Sequence, residues 1–318
     1  MSATLKFRPL VPKIMLFGDS LTQWSVNCES GGWVSALQKR WVRRADVLNR
    51  GVAGWNSRWL AEYVPGLLEN EVAKLTEDMK DTDAQVSRAP EPITNMKPPL
   101  LFATLWVGAN DACLESSSRR RYHVPLDEFE QNMRRMAEHI LEYTDVLFLL
   151  SAPPCDEGMM KTYAEALAEK GLLPADWKYD KTLDPEVTKK YAEKVLQIGE
   201  ELKAKYAALT SSSAGGGTKR KMTRGNKSIV ALDLHSIFAA NGLKTILYDG
   251  IHFNAKGEAL VIDAIDREFQ ENTALQGLLV VPDSGRLKGN YACNESRCEG
   301  VPPVWPWHEH PELTDLGK

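Results

Sequence analysis

Short apolar runs alternate along the chain with longer segments in which apolar residues recur at helical spacing. The runs are almost continuously apolar and are bounded by polar residues, Gly or Pro, which is typical of strands buried on both faces. The predicted strands are Lys13–Phe17, Asp46–Asn49, Leu100–Val107, Val146–Ser151 and Ile229–Leu234. The predicted helices are Trp33–Arg44, Arg58–Leu68, Leu126–Tyr143, Pro185–Ala207 and Lys256–Glu271. This alternation predicts a three-layer α/β/α fold with a mostly parallel five-strand sheet in the flavodoxin-like order 2-1-3-4-5.

The length of 318 residues suits one well-filled core with surface insertions. We predict a single domain over residues 1–318, with insertions near 77–98, 155–185 and 209–228 and a polar tail at 281–318. The first insertion is charged and Pro-rich and predicts a long surface loop. The third is a Ser- and Gly-rich tract with a basic end, which predicts a solvated loop.

The composition excludes several classes of protein. Lys and Arg total 39 against 43 Asp and Glu, a net charge of −4 that gives no global preference for nucleic acid or anionic membranes. No segment approaches the roughly 20 apolar residues of a membrane helix, and Met1–Pro12 does not resemble a signal peptide. The five Cys are an odd number at irregular positions, which suits reduced thiols better than a disulfide framework. We therefore expect a cytoplasmic protein with no membrane span and no nucleic-acid partner; its oligomeric state stays open.

Metal binding is not predicted from the C-terminal tail. Cys293 and Cys298 are too few to make a metal site, and whether they pair as a disulfide stays open. His308 and His310 form an equally incomplete pattern.

Four polar segments follow predicted strands, where ligands bind in open α/β sheets. They are Gly18-Asp-Ser-Leu-Thr22, Gly51–Ser57, Gly108-Ala-Asn-Asp111 and Asp249-Gly-Ile-His252. Each has an ordinary structural explanation as a helix cap or a tight turn. Together, on one rim of the sheet, they predict a functional site.

The chemistry of these segments suits proton transfer and nucleophilic attack. Asp249 and His252 form the only Asp-x-x-His pair in the chain, in which the carboxylate can fix the imidazole tautomer and free the other nitrogen as a base. Ser20 is a candidate nucleophile or a helix cap, and Asn110 is a candidate amide donor. A G-x-G-x-x-G fingerprint is absent, so dinucleotide binding is unsupported.

The order of the four segments resembles the four sequence blocks of the GDSL, or SGNH, hydrolases. Gly18-Asp-Ser-Leu-Thr-Gln23, Asp46-Val-Leu-Asn-Arg-Gly51 and His123-Val-Pro-Leu126 resemble in particular the isoamyl acetate-hydrolysing esterase-like branch. The resemblance implies the SGNH hydrolase fold and hydrolysis of small carboxylic esters with short, acetate-type acyl groups. It also implies that no metal or organic cofactor takes part.

Carried over to this chain, the resemblance makes Ser20 the nucleophile, His252 the general base and Asp249 the residue that orients His252. It implies an acyl-enzyme intermediate on Ser20. The oxyanion hole would consist of the Ser20 and Gly54 backbone N–H groups and the Asn110 side chain.

Trp24, Trp55 and Trp106 lie near these segments and are candidates for the walls of a substrate pocket, or for core residues. Two other functions stay open. One is a carbohydrate O-deacetylase that uses the same catalytic residues. The other is a non-catalytic flavodoxin-like binding module in which Asp19 or Asp111 holds a ligand or accepts a phosphoryl group.

Overall fold

Five parallel strands form the centre of the structure, a computed structural model that describes residues 12–42, 44–83, 100–212 and 227–279. The strands are β1 (Lys13–Gly18), β2 (Asp46–Gly51), β3 (Leu100–Trp106), β4 (Val146–Leu150) and β5 (Ser228–Leu232). They pair in the order β2-β1-β3-β4-β5, and every pairing is parallel. The predicted fold class and strand order are confirmed.

Helices cover both faces of this sheet. They are α1 (Ser20–Gln23), α2 (Trp33–Trp41), α3 (Ser57–Asp83), α4 (Leu126–Ile140), α5 (Glu157–Glu169), α6 (Pro185–Ser212), α7 (Leu234–Ala240), α8 (Leu243–Ile246), α9 (Ala255–Glu271) and α10 (Thr273–Leu279), with 3₁₀ turns at Trp24–Val26 and Arg120–Tyr122. The core of one face lies under α3, α4 and α6, and the core of the other lies under α2, α7 and α9.

The continuous apolar character of the strands follows from this arrangement. In β1, Met15 and Phe17 belong to the first core, whereas Ile14 and Leu16 belong to the second. Successive side chains of a strand point to opposite faces, so a strand covered on both faces must be apolar at every position. The polar segments lie beyond the carboxyl ends of the strands, where the two apolar cores end.

The insertions are more regular than the sequence predicts. Residues 77–83 continue α3 rather than forming a loop, because neither Gly nor Pro interrupts the chain between Gly66 and Pro90. The 155–185 insertion contains α5, which the apolar spacing did not predict. The predicted end of the fifth strand at Leu234 is also wrong, because Asp233 Oδ1 accepts the Ser236 N–H and starts α7 there.

Other sequence predictions fall on residues outside the described ranges. These are the remainder of the first and third insertions and the 281–318 tail with its Cys and His pairs. Within the described ranges, none of the helices is long and apolar enough to cross a membrane. The single domain and the cytoplasmic location stay predictions.

Candidate active site

Ser20 lies beyond the carboxyl end of the interior strand β1, as the first residue of α1. Asp19 is the helix cap: its Oδ1 accepts the Leu21 N–H at 2.9 Å. The side chain of Ser20 is therefore free of a capping role and remains available for chemistry.

A chain of two hydrogen bonds joins Ser20 to His252 and Asp249. The Ser20 Oγ lies 2.9 Å from His252 Nε2, and His252 Nδ1 lies 2.7 Å from Asp249 Oδ2. The other carboxylate oxygen, Asp249 Oδ1, accepts the backbone N–H groups of Ile251 and His252 at 2.9 and 2.8 Å. The structure thus brings Ser20 together with two residues that lie more than two hundred positions further along the chain.

The electrostatics of the pair set the tautomer of His252. Burial by itself raises the pKa of Asp249, but the hydrogen bond from His252 and the two backbone N–H groups outweigh it and lower that pKa below its ordinary value. An ionised carboxylate can only accept, so it requires the proton on Nδ1. The lone pair of Nε2 therefore faces the Ser20 hydroxyl.

The loop that carries Asp249 and His252 depends on Gly250. This residue has φ +93°, and a Cβ there would come within 2.5 Å of the Asp156 carbonyl oxygen. The Asp156 N–H in turn donates to the Gly250 carbonyl at 2.9 Å. The segment before α5 therefore supports the loop directly, which gives the second insertion a structural role at the site.

Asn110 and Gly54 lie beside this chain of hydrogen bonds. The Asn110 amide donates to the Trp55 carbonyl at 2.9 Å and approaches Asp19 Oδ2 at a long 3.4 Å. Gly54 has φ +78°, and its N–H has no acceptor among the described residues. The Ser20 N–H, at the first position of α1, also lacks an intrahelical acceptor. Three donors are thus unsatisfied or weakly held among the described residues: the backbone N–H groups of Ser20 and Gly54 and one proton of the Asn110 amide.

Aromatic rings flank His252. The Trp24 ring lies 4.5 Å from the imidazole, and the Tyr248 ring stacks on it at 5.9 Å. Trp24 is half-exposed, as a residue of a site rim would be. Trp55, which is partly buried, lies edge-on to Tyr63 at 5.1 Å.

Trp106 does not belong to the rim of the site. Of the two roles considered for it from the sequence, pocket wall and core residue, the structure shows the second. Its ring is fully buried, stacks on Phe253 at 5.7 Å and donates to the Ser151 carbonyl at 3.0 Å. A Trp at the end of a strand that is covered on both faces packs into the core because the helices there exclude solvent.

Asp19 and Asp111 are both fully buried, which argues against the binding-module alternative. Burial raises the pKa of Asp19 to about 6 and that of Asp111 to about 7. Asp111 Oδ1 accepts the Ser57 N–H at 2.9 Å at the start of α3. A carboxylate that accepts a phosphoryl group must reach solvent, and neither of these does.

Glu258 on α9 bonds the segment that runs from the end of α1 to the start of α2. No feature of the sequence indicated this contact. Its carboxyl group bonds Ser25 Oγ at 2.9 Å and the Trp33 N–H at 3.0 Å. Ser25 Oγ also lies 2.8 Å from the Leu21 carbonyl. The hydroxyl has one proton for two acceptors, so the network is complete only when Glu258 is protonated and donates to Ser25. Burial correspondingly raises the pKa of Glu258 to about 7.

We expect Glu258→Gln to stabilise the protein selectively at high pH, because the amide reproduces the protonated acid. The folded-state pKa lies above the ordinary value of 4.5, so the stability contributed by protonated Glu258 is present below about pH 4.5 and lost as the pH rises through about 7. From pH 5 to 8.5 the parent should lose about 2–3 kcal/mol of unfolding free energy relative to the variant. Urea unfolding at both pH values measures this difference.

The control is Glu271→Gln, which removes the same formal charge from an exposed position on α9. This variant should follow the parent at both pH values. A Glu258→Gln variant whose stability changes with pH as the parent's does would contradict the protonated network.

Within the described ranges, no three His, Cys, Asp or Glu side chains are grouped as a metal site requires. A cavity of about 370 Å³ lies between α3 and α4, where Val64, Met136 and His139 are among the lining residues. It contains none of the residues discussed above. The candidate site therefore remains the group of strand ends around Ser20.

The fold brings these polar side chains together at the carboxyl ends of the strands, and the sequence comparisons identify the class of protein. The chain belongs to the GDSL-like lipase/acylhydrolase family, which it matches over residues 14–265. It is accordingly a carboxylic ester hydrolase.

Two relatives match most of the chain. A GDSL esterase/lipase of Arabidopsis thaliana is 30% identical, with 82% of this chain and 86% of that protein covered. The isoamyl acetate-hydrolyzing esterase 1 homolog of Bos taurus is 30% identical, with 80% of each covered. Among solved structures, a catalytic mutant of an acetylxylan esterase from Geobacillus stearothermophilus superposes with a TM-score of 0.46 at 15% identity, covering 81% of this chain and 93% of that one.

Proposed function

We propose that the chain cleaves esters of small molecules with short, acetate-type acyl groups through an acyl-enzyme intermediate on Ser20. The observation that carries the proposal is the continuous hydrogen-bonded chain from Asp249 through His252 to Ser20. A serine hydroxyl is a weak nucleophile until a base takes its proton. His252 Nε2 lies where that base must be.

In the first half of the reaction, Ser20 Oγ attacks the ester carbonyl carbon and its proton passes to His252 Nε2. The resulting imidazolium is stabilised by the adjacent carboxylate of Asp249. The C–O bond to the alcohol then breaks, and the alcohol leaves with the proton from Nε2. The acyl group stays on Ser20.

In the second half, water replaces the alcohol. His252 Nε2 takes a proton from the water as its oxygen attacks the acyl carbon. The bond to Ser20 Oγ breaks, and the serine recovers its proton from the imidazolium. The products are the carboxylic acid and the free enzyme.

The negative charge on the carbonyl oxygen is stabilised in both halves by the N–H groups of Ser20 and Gly54 and by the Asn110 amide. The weak 3.4 Å contact of Asn110 with Asp19 leaves one amide proton that can turn to the oxyanion. The firm bond to the Trp55 carbonyl holds the amide in place meanwhile.

Asn110→Ala should therefore lower kcat with little change in KM, because an oxyanion donor bonds the intermediate more strongly than the ester. The expected loss is about 2.7–4 kcal/mol of transition-state stabilisation, or roughly 10²–10³ in kcat. Steady-state kinetics on 4-nitrophenyl acetate, with folding checked by circular dichroism, measures it. An Asn110→Ala variant that keeps the parental kcat would contradict the assignment.

Hydrolysis should favour short acyl chains, because aromatic side chains stand close to both the base and the oxyanion donors. We expect kcat/KM to fall at least about 100-fold from 4-nitrophenyl acetate to the octanoate. Added methylenes would favour binding in a pocket that accommodates them, so a fall in kcat/KM requires a steric wall. Trp24→Ala and Trp55→Ala should narrow this ratio. Equal turnover of acetate, butyrate, octanoate and palmitate esters would exclude a closed acyl pocket.

A carbohydrate O-deacetylase is the second candidate. The supporting observation is the exposure of the aromatic rim, where Trp24 and Tyr248 are each about half-exposed, at 50% and 47%. Amphipathic rings that stand open to solvent can stack on a flat sugar face. Activity on an acetylated xylo-oligosaccharide that exceeds activity on simple acetate esters would favour this candidate.

A further inference from the structure

Two arginines lie on the ring of Tyr122, next to Gly54. The guanidinium carbons of Arg119 and Arg121 lie 4.8 and 4.7 Å from the ring centroid. The ring edge is close to the oxyanion donors: a Cβ at Gly54 would lie 3.7 Å from Tyr122 Cε1. Both cations are thus separated from Gly54 by a single aromatic ring.

Tyr122 is held in this position from several sides. Its carbonyl oxygen accepts from the Asn56 side-chain amide at 2.9 Å, and the Trp59 ring packs edge-on to it at 5.8 Å. Arg121 Nη2 donates to the Tyr122 hydroxyl at 2.5 Å. Stacking on a fixed ring orients a guanidinium before any ligand arrives, and the N–H groups at its edge stay available.

Neither guanidinium is neutralised by a carboxylate of the described residues. No ion pair joins Arg119 or Arg121 to a carboxylate in the part of the chain that the structure describes. Asp180, whose carboxylate contacts this loop, accepts the Ser118 backbone N–H at 2.6 Å. The nearby Arg58 differs, because Glu128 binds it through two hydrogen bonds. Within the described ranges, the two arginines at Tyr122 therefore present positive charge beside the site that no carboxylate pairs with.

We propose that Arg119 and Arg121 recognise an anionic group, such as a carboxylate, sulfate or phosphate, on the alcohol part of the ester substrate. The charge belongs to the alcohol part because the acyl group proposed above is short. Planar guanidinium edges donate in pairs to such anions, which gives both affinity and orientation. This inference rests on the proposed ester hydrolysis and specifies its substrate.

Three matched aryl acetates test the inference. They are phenyl acetates with a propanoate, a propanamide or a trimethylammonium-ethyl group at the 4-position. Two methylenes insulate the ring from the charge, so the three phenols leave almost equally well. We expect kcat/KM for the propanoate to exceed that for the propanamide about tenfold, mainly through KM, with the cation the poorest. About 0.5 M salt should reduce this preference, because the arginines are solvent-accessible.

The Arg119→Gln/Arg121→Gln double variant should bring the propanoate and propanamide within about twofold of each other. Arg121 also donates to the Tyr122 hydroxyl, so the readout is the ratio of kcat/KM for the two substrates within one variant, in which a change common to both cancels. The control is Arg120→Gln, which removes an exposed charge from the same turn without disturbing the guanidiniums on the ring. This variant should keep the parental preference.

The possible results separate this inference from the proposed function. Hydrolysis of the propanamide without a preference for the propanoate would overturn the anion site and leave ester hydrolysis intact. A preference that survives in the double variant would also overturn it. Failure to hydrolyse all three acetates would contradict the proposed function itself.

Discussion

Alanine at Ser20 or at His252 is expected to remove nearly all ester hydrolysis, with kcat reduced by a factor on the order of 10⁴ or more. Without the Ser20 oxygen no acyl-enzyme forms, and without His252 Nε2, 2.9 Å away, no base takes the proton during attack. The double variant should be hardly worse than either single one, because the groups act as a unit. Initial rates on one acetate ester measure all three.

His235→Ala is the matched control for the loss of a histidine. His235 is partly buried and its backbone N–H donates to Ser151 Oγ at 2.9 Å, whereas its side chain bonds none of Ser20, Asp249 and His252. This variant should keep kcat within a few-fold of the parent. Losses at Ser20 and His252 that multiply in the double variant would show that the residues act independently, contrary to the proposed chain.

Asp249→Asn is expected to leave the fold intact and to lower kcat by a factor on the order of 10²–10⁴, by analogy with the serine-protease triad. The amide oxygen can still accept the N–H groups of Ile251 and His252. The amide nitrogen would face His252 Nδ1 and require it to accept, which moves the imidazole proton to Nε2. A protonated Nε2 cannot take the proton of Ser20.

Asp233→Asn provides the control for this tautomer effect. Asp233 also accepts a backbone N–H near a histidine, at the start of α7, but no reacting group lies beside it. Its substitution should leave kcat unchanged. Parental activity in Asp249→Asn, with circular dichroism unaltered, would mean that Asp249 supports the loop and does not set the tautomer.

The layered fold could be predicted because burial on two faces leaves a direct mark on the sequence. The unbroken apolar run in β1 and the helical spacing in α4 and α9 each reflect local geometry. The ends of helices were harder to predict. The apolar repeat of α3 weakens after Leu68, but helix-forming residues continue and the helix extends to Asp83. In α5, no residue is fully buried, so there was no strong apolar stripe to detect.

The positions of Ser20, Asp249 and His252 could be anticipated because each belongs to a short motif at a strand end. The contacts that support these residues could not be anticipated from the sequence. Glu258 bonds Ser25 across 233 positions, and nothing in the local sequence of either residue indicates the other. The position of Tyr248 near the site could have been predicted, since it directly precedes Asp249. Its stacking on His252 could not, because it depends on the turn that reverses the chain there.

The central claim is that Ser20 is the nucleophile, and covalent labelling with a fluorophosphonate probe tests it most directly. The probe phosphonylates a serine only when a base activates the hydroxyl and donors stabilise the developing oxyanion. Mass spectrometry of the intact protein and of its peptides should find one adduct, located on Ser20, that forms in the parent and hardly at all in His252→Ala. An adduct on another residue, or equal labelling of folded Ser20→Ala, would contradict the account.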